Sequence, residues 1–128
     1  MSEYTRTITA HEVPNASPSG IVLTADERDA NNGNTSHKYL CSWQESGEAN
    51  LYEPIFFQEG PIKEVGINGI TNELLLAIVI DRLEGFQSGP YACEENAAAL
   101  ASTKNALSML QFRTMRRIER GVEGTYEK

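Results

Sequence analysis

Histidine and cysteine are scarce, with two of each in 128 residues. That leaves too little for a disulfide framework or a cysteine-rich metal cluster. Cys41 and Cys93 read as free thiols, because no secretory leader accompanies them. His37 and Cys41 stand four positions apart, but on a strand such residues share a face without converging, and no second pair of ligands follows. No metal site is expected. Long apolar runs are also missing, since nothing approaches the roughly 20 residues that cross a bilayer. The start, MSEYTRTITA, lacks the basic end and apolar stretch of a signal peptide, so an intracellular protein with no membrane partner is expected. Catalytic signatures are absent too. GINGIT has neither the glycine spacing nor the lysine of a phosphate-binding loop, and no nucleophile elbow occurs. His11 reads as solvated, and Asp81 and Glu84 around Arg82 as a wet helix face rather than an acid/base pair. The sequence disfavours an enzyme, and no cofactor is expected.

Positive charge is rare outside one stretch. The chain carries −7, yet the four arginines of residues 113–120, less Glu119, give that stretch +3 and leave −10 on the remainder. An acidic body opposes binding to long nucleic acid, which calls for an extended basic surface. A small anion at one local patch is compatible with it.

The first seventy residues read as strands separated by turns. TRTITA, GIVLTA, KYLCSW and EPIFFQ are rich in β-branched and aromatic residues, while PNASPSG, DERDANNGNTS and ESGEAN have loop composition. Thr35 to Lys38 is expected to lead into a strand and Gly60-Pro61 to end one. From Thr71, a plausible N-cap, helical spacing takes over: Leu75, Val79, Leu83 and Phe86 recur on one side, and Leu74, Ile78 and Ile80 widen the apolar face until most of the helix reads as buried. Burial on that scale implies packing against the strands and another subunit. Gly89-Pro90 breaks the chain. A second helix follows, with Glu94 and Glu95 early, a seam of Leu100, Leu107, Leu110 and Met115, and Gly121 as its stop. The fold class expected is α+β in a single domain of residues 1–128: an N-terminal antiparallel β-sheet region (1–69), a C-terminal two-helix hairpin (70–121) and a tail (122–128).

Arg113, Arg116, Arg117 and Arg120 fall at i, i+3, i+4 and i+7, so a helix gathers them along one side. Two readings stand. They cap the macrodipole and meet acids elsewhere in the chain, or they form a phosphate clamp, since guanidinium forks match phosphate oxygens with paired charge-assisted hydrogen bonds. As exposed helix-end charges, Arg113 and Arg117 should be removable without loss of the fold. Phe86 and Asn96 flank the turn, each as readily a core or capping residue as a ligand contact. Asn96 and Arg113 lie about 25 Å apart along a helix rising about 1.5 Å per residue. One chain cannot bring both to one small ligand. Two antiparallel copies can, giving a symmetric dimer with two pockets, each offering an aromatic face, an amide and guanidinium groups.

Residues 60–128, and within them LEGFQSGP, ACEENAAAL and RTMRRIERGVEGT, resemble the phage Thoeris anti-defence sponge family. The helical hairpin is similar to that of the anti-CBASS cyclic-nucleotide sponges. The resemblance implies a β-rich front, two C-terminal helices, and a non-enzymatic protein in the cytoplasm of the infected bacterial host. Such a protein sequesters an immune messenger, a cyclic ADP-ribose isomer made by TIR enzymes, without cleaving it. Members that also hold cyclic di- or trinucleotides do so as hexamers, so the partners implied are a small cyclic nucleotide-type signal and further copies of the chain, from dimer to hexamer. Carried over by position, Phe86 is the aromatic that stacks on adenine, Asn96 its polar partner, and Arg113 and Arg117 the phosphate and ribose contacts. Arg116, Arg120 and Gly121 are implied for a second, cyclic-oligonucleotide site. The stretch HEVPNASPSGIVLTADERDANNGNTSHKYLCSW matches no family residues, so ligand selectivity stays open. The alternative reading is a phage structural or assembly protein whose arginine face binds an acidic partner protein.

Overall fold

Four strands pair in sequence order in a computed structural model that describes residues 3–44 and 50–128. They are β1 (Arg6–Ile8), β2 (Val22–Ala25), β3 (Lys38–Gln44) and β4 (Asn50–Phe56), joined as one antiparallel sheet. The register pairs Ile8 with Leu23, Leu23 with Cys41, and Tyr39 with both Ala25 and Ile55. Because strand side chains alternate, these residues share one sheet face, which therefore carries Ala25, the fully buried apolar residue of the sheet. The ring of Phe57 meets Tyr39 edge-on at 5.4 Å. Pro54 fits within β4 because β4 is an edge strand, where a missing N–H costs least. The strands fall where β-propensity puts them, with one extension. β4 begins at Asn50, inside the expected ESGEAN loop, because Asn50 pairs with Gln44 across the hairpin; residues 45–49 of that loop lie outside the described residues.

The chain divides into two compact units. The first comprises the described residues up to Gly60 together with Ile67–Gly69; the second comprises Pro61–Gly66 and Ile70–Lys128. In the first unit, Ile67–Gly69 act as a strap. The Asn68 amide donates to the Glu59 carbonyl at 2.8 Å and accepts from the Glu59 N–H at 2.8 Å. Gly69 follows so close to the β4 exit that a Cβ there would lie 2.4 Å from the Phe57 carbonyl carbon. Gly69→Ala should therefore lower the stability of this unit by about 1–3 kcal/mol, the usual cost of forced overpacking, with backbone rather than a flexible side chain in the way. Thermal denaturation followed by Trp43 fluorescence would check it; an unchanged midpoint would show that the strap shifts freely.

The second unit holds α1 (Ile62–Val65), α2 (Asn72–Gln87) and α3 (Glu94–Glu119). The single turn α1, opened by Pro61, was not legible in the sequence, which places only a strand end there. Thr71 caps α2, its hydroxyl accepting from the Leu74 N–H at 3.2 Å. The Gln87 side chain closes the turn by exchanging two hydrogen bonds with the Cys93 backbone. Gly121, at φ +73°, ends α3 as expected: its N–H reaches the Ile118 carbonyl and that of Val122 the Arg117 carbonyl, a Schellman stop.

One chain by itself does not reach the burial expected of α2, which called for another subunit as well: only Ile80 is buried, and Leu74, Leu75, Ile78 and Val79 are 36–49% exposed. A single partner helix covers a single face. Met115 was placed in the α3 seam, yet it is 57% exposed. With 26 residues against 16, α3 runs well past α2, and Met115 lies beyond its reach.

Candidate functional site

The last turns of α3 carry the arginines at helical spacing, where the macrodipole favours cations. The chain then folds back, and the arginines part company. Arg117 is 7% exposed. Its Nε donates to the Glu123 carboxylate at 3.1 Å, Nη1 to the Glu127 carbonyl at 2.5 Å, and Nη2 to the carbonyls of Val122 and Thr125 at 3.0 and 3.3 Å. The guanidinium is the hub round which residues 122–127 wrap, and the Gly124 carbonyl ties the same segment to α1 through the Lys63 N–H. This corrects the expectation that Arg117 is an exposed helix-end charge. Spacing reveals which side of a helix a residue takes, but not that a tail will return to cover it.

Arg113, Arg116 and Arg120 stay exposed. Together with Arg117 and Lys128 they line a cleft of about 290 Å³. Among the described residues the Arg113 guanidinium makes no ion pair, and Arg116 sits 5.4 Å above the Phe112 ring. Arg113 also borders a neighbouring groove of about 720 Å³ with Thr71, Glu73, Gln111, Thr114 and Glu123. The sequence reading missed Lys128 and Thr71 as lining residues. Both arrive by tertiary folding, Lys128 through the Arg117-centred wrap, and no linear spacing announces them.

The other end of the hairpin is apolar. Phe86 is 42% exposed and, with Arg82, Gly85, Gly89, Pro90 and Tyr91, lines a cleft of about 310 Å³. Arg82 lies 5.9 Å from the centre of the Phe86 ring, so one side of the aromatic already faces a cation. Asn96 stands in the first turn of α3. Its N–H is capped by the Cys93 sulfur at 3.4 Å, and its amide donates to the Tyr91 carbonyl at 3.3 Å, leaving the amide oxygen for another donor. Phe86 and Asn96 lie at the turn end of the hairpin and Arg113 towards the other end of α3, whose 26 residues span about 39 Å.

The remaining candidates stand apart. His11 Nε2 lies 3.1 Å from the Glu12 carboxylate in an exposed loop. The carboxyl of Glu12 is held below its ordinary range, chiefly by the Ser19 N–H. His37 does not join Cys41; it is buried and pairs with Asp29 at 3.1 Å. Cys41 and Cys93 are both free. Among the described residues no helix is long and apolar enough to cross a membrane.

Comparison with known proteins bears on the hairpin. Residues 53–111 match the family model described as Acb2/Tad1, hairpin domain. Among curated proteins, Thoeris anti-defense 1 of Bacillus phage SBSphiJ7 is 51% identical over 72 residues, which cover 56% of this chain and 51% of that protein. The chain therefore spans about half the length of the curated relative it matches.

Proposed function

From the match of residues 53–111 to the Acb2/Tad1 hairpin-domain model and the likeness to Thoeris anti-defense 1, we propose that the chain is a phage anti-defence protein that binds and sequesters a cyclic ADP-ribose-type immune signal without cleaving it. It acts in the cytoplasm of the infected bacterial host and suppresses Thoeris immunity. The observation that carries this reading is the division of labour along α3. An aromatic cleft lined by Phe86 and Tyr91, whose carbonyl accepts from the Asn96 amide, stands at one end, and a guanidinium cleft with Arg113 at the other. The two ends meet when a second copy runs antiparallel, and the half-exposed Ile78, Val79, Phe112 and Met115 offer that copy an apolar surface. In such a dimer Phe86 stacks on the base, Asn96 reads its edge, and Arg113 of the other copy neutralises phosphate.

Arg117 takes a different place in this scheme from its three neighbours. Its hydrogen bonds are spent on the tail, so it sets the cleft floor and contributes charge, and a direct ribose or phosphate contact requires the tail to open. Arg116, Arg120 and Gly121 are the residues for a second ligand class, cyclic di- or trinucleotides opposing CBASS, held by a higher oligomer up to a hexamer. Gly121 already donates its N–H to Ile118, which leaves the two arginines to carry that contact.

The test of sequestration is recovery. A cyclic ADP-ribose isomer incubated with the protein should be returned intact when the protein is heat-denatured. Recovery of a linear product would make the protein a hydrolase. Failure of any small phosphate to bind, with assembly lost on charge reversal at Arg113, would favour an acidic protein partner for the arginine face.

A further inference from the structure

The β-rich unit contains a cluster that the signal-binding reading does not use. One ring nitrogen of His37, one carboxylate oxygen of Asp29 and one of Glu59 all lie within 4.8 Å of one another. From this convergence we infer that Asp29, His37 and Glu59 form a site for one divalent transition-metal cation, of which Zn²⁺ is the natural probe.

The donor set is a buried imidazole and two carboxylates, three ligands of the kind that hold Zn²⁺ with a fourth position left to water. A plain hydrogen bond from Nε2 to Asp29 would account for part of the arrangement. It would not account for Glu59, 22 positions further along the chain, whose carboxylate joins the same cluster. His37 is 5% exposed, and Nδ1 is a buried side-chain nitrogen with no partner among the described residues. A neutral imidazole with Nε2 toward the two carboxylates has one lone pair to offer a cation there.

The surroundings hold the ligands in place before any ion arrives. The Asp29 carboxylate accepts from Asn32 Nδ2 at 2.8 Å and the Asn31 N–H at 2.9 Å. These bonds fix the orientation of the carboxylate on the turn. The carbonyl of His37 accepts from the Phe57 N–H at 2.7 Å, which brings the chain leading to Glu59 alongside. Asn68 fixes the Glu59 backbone from the other side. A cation here would clip three segments of the unit: the 29–35 turn, the entry to β3 and the exit from β4. The sequence did not reveal it because His37 was weighed only against Cys41, whereas its partners come from a turn and a strand exit.

The test uses the full chain, stripped with chelator and titrated with ZnCl₂ by calorimetry in a non-coordinating buffer. About one Zn²⁺ per chain is expected. Glu59→Gln, at an exposed position that should leave the fold intact, should weaken binding at least about tenfold, an effect that loss of even an outer partner of a metal ligand can reach. The Co²⁺-loaded protein should show d–d bands without a thiolate charge-transfer band, since neither cysteine takes part. The inference is overturned if folded protein binds neither Zn²⁺ nor Co²⁺, if Glu59→Gln binds as tightly as the parent, or if a thiolate band appears.

Discussion

Arg113→Ala should weaken binding of a Thoeris-type cyclic ADP-ribose isomer by about 100-fold while leaving the melting temperature almost unmoved. The two halves of that expectation have separate causes. Arg113 is exposed and makes no ion pair among the described residues, so its removal strands nothing, and such surface changes usually stay within about 0.5 kcal/mol. Its guanidinium borders both clefts at the base of the hairpin. A hydrogen bond to a charged partner contributes about 1.5–3 kcal/mol, the upper part of which is a factor of about 100 in affinity. Calorimetry beside a thermal melt separates the two. Unchanged affinity in the folded variant would remove Arg113 from the site.

Arg117→Ala should behave in the opposite way, with its main effect on stability. It deletes the donor to one carboxylate and three backbone carbonyls in a pocket where the side chain is 7% exposed. Leaving part-buried acceptors unpaired costs about 1–3 kcal/mol, and a loss of about 2 kcal/mol lowers the melting temperature of a unit this size by about 10 °C. Residues 122–127 should lose their amide-exchange protection first, because the deleted group is what they wrap around. Arg117→Lys should restore little, since a single ammonium cannot span the arc the guanidinium fork fills. A melt unchanged in Arg117→Ala would mean that the tail is held by α1 alone.

How much of this was legible in the sequence follows from the range of each interaction. The Thr71 cap, the Gly121 stop and the acidic first turn of α3 are local devices, and each is found where spacing and residue type put it. The strands follow from β-branched and aromatic runs, and the misplaced start of β4 marks where cross-strand pairing with Gln44 outweighed the turn propensity of Asn50. The arginine face was visible as a face because helical period alone creates it. That Arg117 would be withdrawn from it was not, because the withdrawal depends on a tail that returns across the helix end. The same limit hid Lys128 in the cleft and Asp29 and Glu59 beside His37. The apolar breadth of α2 is likewise a record of cover that one chain does not supply, since only Ile80 is buried there.

Sequestration of a cyclic ADP-ribose-type signal is tested most directly by isothermal titration calorimetry of the purified protein against a Thoeris-type isomer, with cyclic di- and trinucleotides titrated in parallel. Tight binding near one ligand per chain, two per dimer, is the result expected from pockets completed by two antiparallel hairpins. A folded sample that binds none of the panel would contradict it and return the arginines to capping their helix and meeting an acidic partner.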